Sequence, residues 1–313
     1  MKKVVLLFLT VFLSCFKTDE YLKIGTNVWP GYEPLYVARE LGYLKDIPVH
    51  IVEYSSASQV MRAYRNNVIN SAALTLDEVI LLRSYGFRPV VVLVMDFSNG
   101  ADVIIARRGI ETLSDLKGKK IGVENSALGA YMLTRALEKA GLTVNDVKIV
   151  PLEVDEHLNW FKRGKIDAVV TFEPVKSKIL KAGGRVIFDS SQIPEEIVDV
   201  LVVEKEYLDK NPSVVKKLVN QWFRAVNFLK ENPKEAFRII SQREHITDEE
   251  LNKAYAGIKI PGRKENRLLL DSSKPKLEAV ARKLLKIMKE KRIISQNSID
   301  IDGIFDGRFI EED

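Results

Sequence analysis

The stretch Gly25-Thr26-Asn27-Val28-Trp29-Pro30-Gly31-Tyr32-Glu33-Pro34 decides the fold of this chain. It follows a β-like run from Leu22 to Gly25, and the pattern predicts a helix from Pro34 to Tyr43. Its glycines let the backbone bend tightly and its prolines stiffen it. Turns between a strand end and a helix start are where open α/β sheets bind ligands. The candidate ligand contacts are Asn27, Trp29, Tyr32 and Glu33; the alternative is a stiff turn whose aromatic rings only cover the core.

The N-terminus has the pattern of a secretory signal. A basic tip, Met1-Lys2-Lys3, precedes a short apolar run from Val4 to Leu13, and the small residue Ser14 stands before Cys15. The run is too short to span a bilayer as a helix. Cys15 is the sole cysteine, which excludes an internal disulfide. It resembles the acylated first residue of a bacterial lipoprotein, so we assign residues 1–16 to the signal and expect lipidation at Cys15. Plain export and an uncleaved anchor are the alternatives.

The composition indicates a globular chain with a sizeable core. Of the 313 residues, 46% are hydrophobic and 29% are charged, which suits one large domain or two medium ones. The net charge of +5 is small and the lysines are scattered, so nucleic acid is not expected as a partner. His50, His157 and His245 lie far apart in sequence, so we expect neither a metal site nor a cofactor.

Strand and helix patterns alternate in two successive blocks, roughly 21–98 and 99–198, and such βα units predict mostly parallel sheets. In the first block, Thr75-Leu76-Asp77-Glu78 is a capping-box pattern at a helix start. After Asn211-Pro212 only helices are predicted, packed through apolar stripes. Extended segments near 97–103 and 196–203 would connect the blocks twice. Two connections make a hinge, and the cleft between the blocks is then a natural site for a small molecule.

Several segments together resemble one family of transport proteins. They are Lys23–Gly25, Asn27–Pro34, Leu35–Ala38, Leu41–Tyr43, Leu74–Glu78, Asp96–Asp102, Asp115–Val123, and Asp167–Val170 leading to Glu173-Pro174. This combination resembles the solute-binding proteins of ABC importers in the nitrate/sulfonate/taurine group, which share a domain with thiamine-pyrimidine proteins. The resemblance runs from about residue 21 to 205 and weakens through the C-terminal helices.

The resemblance implies an α/β type II periplasmic binding fold: two α/β lobes joined by a two-segment hinge, with the C-terminal helices packed on the first lobe. Lobe 1 would be 21–98 plus about 200–313, and lobe 2 would be 99–199. It also implies a monomer at the periplasm or cell surface, held to the membrane through a lipid anchor. This protein would capture a small nitrogen- or sulfur-containing organic solute or anion and deliver it to an ABC permease and its ATPase, without catalysis.

Two other functions fit the same architecture. One is a ligand sensor for a membrane kinase or cyclase. The other is a thiamine-pyrimidine or menaquinone-type biosynthetic enzyme. Enzymes of the thiamine-pyrimidine type use a cysteine-rich stretch near the site, whereas the sole cysteine of this chain lies in the predicted signal.

In such a fold the loops after the strands line the cleft. Besides the opening loop, the candidates are Ser55, Ser56, Thr75, Asp77, Asp96, Ser98, Asn99, Glu124, Asn125, Ser126, Gly129, Asp155, Thr171, Phe172 and Glu173. Helix starts after Ser56, Thr75 and Ser126 favour an anion such as nitrate, a sulfonate or a carboxylate.

The many acids among these candidates argue against a bare anion as the ligand. One like-charge pair at about 4 Å costs about 4 kcal/mol at an effective dielectric near 20. The aromatic rings suit a cation or a flat ring. We therefore expect an amine, a zwitterion such as an aminosulfonate, or a pyrimidine-like heterocycle.

Overall fold

The computed structural model describes residues 21–271, 273, 275–295 and 299–310. The predicted signal and Cys15 lie outside the described residues. The strands are β1 (Leu22–Asn27), β2 (Val49–Tyr54), β3 (Ser71–Thr75), β4 (Pro89–Ser98), β5 (Val103–Ala106), β6 (Lys120–Val123), β7 (Lys148–Pro151), β8 (Ala168–Thr171), β9 (Arg185–Asp189), β10 (Val198–Glu204) and β11 (Ile258–Lys259). The α-helices are α1 (Glu33–Glu40), α2 (Ala57–Arg65), α3 (Leu76–Ser84), α4 (Ala127–Lys139), α5 (His157–Lys162), α6 (Val175–Lys181), α7 (Lys205–Lys210), α8 (Pro212–Glu231), α9 (Pro233–Glu244), α10 (Asp248–Ala256), α11 (Arg263–Leu269) and α12 (Lys276–Glu290).

The strands form two sheets, and each sheet with its helices is called a lobe below. The first lobe has the strand order β11-β4-β10-β3-β1-β2, and the second has β7-β6-β8-β5-β9. β1 pairs in parallel with β2 and β3, and β6 pairs in parallel with β7 and β8, as βα units require. The two-sheet α/β architecture predicted from the sequence is therefore confirmed.

The strands that follow the lobe connections run antiparallel to their neighbours. β10 pairs antiparallel with both β3 and β4, and β5 pairs antiparallel with β8 and β9. The prediction of mostly parallel sheets missed these strands, because each one enters its sheet from the other lobe and not through a crossover helix.

The chain connects the lobes through residues 99–102 and 190–197. The first connection lies where the sequence predicted it. The second prediction, near 196–203, overlaps the connection only at 196–197, because Val198 to Glu204 already pair with β4 in the first sheet. The residue bounds of the two lobes as moving units stay a prediction.

The C-terminal helices cover the first lobe, as predicted. α8 packs on α1 and α12 packs on α3. The apolar stripe of α8 is buried at Val215, Leu218 and Trp222, where each side chain contributes about 1.5–3 kcal/mol. The short strand β11 departs from the helices-only prediction, since it adds to the edge of β4. Within the described ranges, every helix is too short or too polar to cross a membrane.

Candidate functional site

A small cavity lies between the lobes, at the ends of the strands. Its lining comes from both lobes: Asn27, Trp29, Tyr32, Ala57, Thr75, Glu78, Asp102, Leu128, Phe172 and Asp199. Its volume of about 20 Å³ holds roughly one water-sized probe. The lobes are therefore closed, and a solute with several heavy atoms requires them to separate.

Trp29 joins the two lobes at this cavity. Its indole N–H donates to Asp96 Oδ2 at 3.0 Å, and its ring meets Phe172 of the second lobe edge to face, with centroids 5.7 Å apart. Such an aromatic pair stabilises by about 0.5–1.5 kcal/mol beyond its buried area. Gly31 makes the arrangement possible, because a Cβ there would lie 1.9 Å from Asp96 Oδ2 and 2.4 Å from the indole nitrogen.

Carboxyl groups surround the cavity on the first-lobe side. Asp199 on β10 lies opposite Asp96 on β4, and Asp199 accepts the Tyr32 hydroxyl at 2.5 Å. Glu78 accepts the Thr75 N–H at 3.1 Å, the carboxylate half of the predicted capping box. Asp102, on the first lobe connection, is also buried. These acids, apart from Asp96, line the cavity directly.

Burial raises the pKa values of these acids. The pKa of Asp102 rises to about 6 and that of Asp96 to about 7. The pKa values of Glu78 and Asp199 rise well above their ordinary range, through burial first and then through neighbouring carboxylates.

Two of the buried carboxyl oxygens, Asp96 Oδ1 and Glu78 Oε1, have no hydrogen-bond partner among the described residues. No lysine or arginine occurs among the described residues that line the cavity. Because burial without a cation disfavours the charged form of a carboxyl group, protons stabilise these acids in the closed cavity.

The start of α2 forms a second interlobe contact. Ser56 caps the helix by accepting the Gln59 N–H at 3.3 Å. The Ser58 N–H donates to Glu124 Oε1 at 2.8 Å. The hydroxyls of Ser56 and Ser58 donate to Glu153 Oε2 at 2.5 and 2.8 Å. Burial raises the pKa of Glu124 to about 7. Two acids of the second lobe therefore hold the donors at this helix start.

The structure brings some predicted residues to the cavity and not others. Asn27, Trp29, Tyr32, Thr75 and Phe172 line it. Asp96 and Ser56 lie directly behind it through the contacts above. Ser55, Asn99, Asn125 and Asp155 are exposed and do not line it.

Glu33 points away from the cavity. It is fully buried behind the Trp29 loop, where its Oε2 accepts Arg243 Nε of α9 at 2.8 Å. The Arg243 guanidinium also lies 3.8 Å from the centre of the Tyr36 ring. Glu33 therefore anchors the loop to the C-terminal helices in this structure.

The remaining candidates support helix starts or the hinge. Asp77 is buried at the start of α3, and burial raises its pKa to about 6. Glu173 accepts the Ser177 N–H at 3.2 Å. The remaining contacts are those of Ser126 with the Gly129 N–H (3.2 Å), Ser98 with Ser190 (2.8 Å) and Thr171 with His157 (3.2 Å). Gly129 packs tightly, since a Cβ there would lie 2.7 Å from the Glu124 carbonyl oxygen.

Sequence reasoning missed Glu78, Asp102 and Asp199 as cavity residues. Asp102 and Glu78 belong to the segments Asp96–Asp102 and Leu74–Glu78 that carry the family resemblance. The capping-box pattern, however, accounts for Glu78 without a role in the cavity. Asp199 interrupts the apolar run Val198–Val203. A lone acid in a buried strand is the pattern that would have identified it, because such a carboxylate needs a partner.

The two lobes, the double connection and the cleft between them define the fold of periplasmic binding proteins. The alkanesulfonate-binding protein SsuA from Xanthomonas axonopodis pv. citri, bound to MOPS, superposes with a TM-score of 0.76 at 15% identity, covering 90% of this chain and 97% of that one. The chain belongs to the NMT1-like family, whose model matches residues 17–243.

Two relatives with assigned names are similar in sequence. The taurine-binding periplasmic protein of Escherichia coli is 26% identical over 167 residues, 52% of each chain. The "Putative aliphatic sulfonates-binding protein" of Bacillus subtilis is 24% identical over 305 residues, 93% of this chain and 87% of the relative. The chain spans about half the length of the taurine-binding protein and of four Brucella proteins that it also matches. The family resemblance predicted from the sequence is confirmed.

Proposed function

We propose that this protein is the extracytoplasmic solute-binding component of an ABC importer, and that its solute carries a positive charge or a flat ring. The observation that carries the proposal is the interlobe cavity, which has acids on its wall and neither lysine nor arginine among its described lining residues. The names of the sulfonate- and taurine-binding relatives support the transport role.

The acids favour one sign of ligand charge. A cation about 4 Å from one carboxylate gains about 4 kcal/mol at an effective dielectric near 20, and an anion loses the same amount. A cationic solute also relieves the mutual repulsion of Glu78, Asp102 and Asp199, which closure strengthens by shielding these acids from water. Binding and closure are therefore coupled, because the ligand stabilises the closed form more than the open one.

Trp29 and Phe172 supply the apolar part of the site. Their rings meet across the cleft, and separating the lobes exposes both faces to a solute. An ammonium group over the Trp29 ring or a heterocycle between the rings would then restore the lost contact. Amines, aminosulfonates such as taurine, and pyrimidine-like heterocycles have this chemistry.

The partners follow from the same proposal. The protein acts in the periplasm or at the cell surface, anchored through Cys15, and closure around the solute presents it to a permease and its ATPase. Capture and release require no bond to be made or broken, so no catalytic residue is assigned.

A thermal-shift panel on the purified protein tests the proposal. The panel contains ethylamine, putrescine, betaine, taurine, a thiamine pyrimidine, nitrate, bicarbonate and ethanesulfonate. A ligand at one hundred times its dissociation constant adds about 2.7 kcal/mol of stability. We expect the shift from the amines, the zwitterion or the heterocycle, and a shift from nitrate or ethanesulfonate alone would contradict the proposed ligand class.

A cavity variant and its matched control show whether a ligand that gives a thermal shift binds in the cleft. Asp199→Asn keeps a group that accepts the Tyr32 hydroxyl but removes the charge, so it should weaken binding of a cationic hit at least tenfold. The exposed Asp46→Asn is the matched control, with the same change of charge outside the cavity.

A further inference from the structure

The start of α2 has the donors of an anion site, and carboxylates of this same chain fill it. The Ser58 N–H donates to Glu124, while the Ser56 and Ser58 hydroxyls donate to Glu153. N–H groups and the positive end of the helix dipole together make a helix start attract negative groups. Ser56 is fully buried, Ser58 nearly so, and Glu124 is buried as well, whereas Glu153 is half-buried. The contact with Glu124 is therefore enclosed, and the contacts with Glu153 lie at its edge.

Both acids reach α2 from the other lobe. Glu124 follows β6 and Glu153 follows β7, whereas Ser56 and Ser58 belong to the first lobe. These groups of the two lobes meet in this closed arrangement. Ala57, between the two serines, lines the ligand cavity. The donors therefore lie at the edge of the solute's own space, where a sulfonate or carboxylate of a bound solute would compete for them.

We propose that Glu124 and Glu153 are selectivity residues that take the anion position at the start of α2 on closure, so that the protein rejects solutes carrying a sulfonate or carboxylate. This inference rests on the proposed solute-binding function and deepens it. Among the classes above, it selects simple amines and uncharged or cationic heterocycles and excludes aminosulfonates. An anionic group at α2 would have to displace two carboxylates and would then stand beside them with the same sign of charge.

Removing both acids should turn the start of α2 into an anion-binding site. In the double variant Glu124→Ala, Glu153→Ala, the Ser58 N–H and the two hydroxyls are free to bind an anion. We expect its dissociation constant for ethanesulfonate, measured by calorimetry, to be at least tenfold lower than that of the wild type. The matched control is the double variant Glu231→Ala, Glu235→Ala, which removes two exposed acids near helix ends that do not line the cavity. The control should bind ethanesulfonate no better than the wild type.

Two results would overturn the inference: a double variant that binds ethanesulfonate no better than the wild type, or a control that gains as much. The single variants Glu124→Ala and Glu153→Ala are measured as well, in case the double variant folds poorly. If both single variants fold and neither binds ethanesulfonate better than the wild type, the inference is also refuted. Ethylamine titrated into the wild type reports on the proposed function separately. If the wild type does not bind ethylamine, the cationic ligand class is rejected. The comparison of ethanesulfonate affinity between the variants and the wild type stands unchanged in that case.

Discussion

Removing the arginine from the buried ion pair behind the Trp29 loop should strongly destabilise the first lobe. Arg243 of α9 pairs with Glu33, whose exposure is 0%, and lies over the Tyr36 ring. Glu244 lies 3.6 Å from the same guanidinium, is buried, and has no hydrogen-bond partner for either oxygen among the described residues. Replacing Arg243→Met keeps the apolar stem but leaves two buried carboxyl groups without their cation.

The expected loss follows from the geometry. Removing one partner of a buried pair costs about 3–5 kcal/mol, because the other charge stays buried without compensation. Burial raises the pKa of Glu244 to about 9 and also raises that of Glu33. A carboxyl group whose pKa is higher in the folded than in the unfolded state stabilises the fold at pH values below its unfolded-state pKa. That stability is lost as the pH rises toward the folded-state pKa. The variant raises the pKa of Glu33 further, so its deficit should be small near pH 5 and largest near pH 8.

Urea unfolding at the two pH values checks this. With an m value of about 3 kcal/mol/M, a loss of about 3–5 kcal/mol lowers the midpoint by about 1–1.7 M at pH 8. The control is Arg238→Met, an exposed arginine on the same helix, which should shift the midpoint little. The argument fails if Arg243→Met costs no more than the control, or if its cost is the same at pH 5 and pH 8.

Three further outcomes are expected. Trp29→Ala should weaken binding of the best panel ligand at least tenfold with the circular dichroism spectrum unchanged; unchanged affinity would remove Trp29 from the site. Gly31→Ala should weaken the same binding more than tenfold, since its Cβ would displace Asp96 or the indole; wild-type affinity by calorimetry would contradict the close approach. Because a solute enters only when the lobes separate, the ligand-free protein should be open in solution, and saturating ligand should lower its radius of gyration in solution scattering; identical profiles would count against a hinge.

The fold was predictable from the sequence where local patterns decide it. Ser56 and Ser126 were predicted as helix starts and cap α2 and α4, because an N-cap depends on residues only three positions away. The buried stripe of α8 was predictable for the same reason. The direction of β10 was not, because antiparallel pairing with β3 and β4 depends on where the chain returns from the second lobe.

The site was predictable only in part, since its contacts join distant positions. The opening loop was found from its composition, and two further cavity residues, Thr75 and Phe172, came from the rule that strand ends line a cleft. The pairing of Glu33 with Arg243 spans most of the chain, so nothing near Glu33 in sequence indicates that it turns away. Glu153 was missed for a related reason: its partners Ser56 and Ser58 lie in the other lobe.

The position of β10 has a consequence for the order in which the molecule assembles. The second-lobe sheet is continuous in sequence from β5 to β9, whereas the first-lobe sheet needs β10 between β3 and β4. Residues as distant as Thr75 and Asp199 must pair before that sheet is complete. Non-local pairing pays loop-closure entropy first and is slow. We therefore expect the second lobe to fold early as a unit, with the first lobe, and with it the acidic wall of the cleft, completed last.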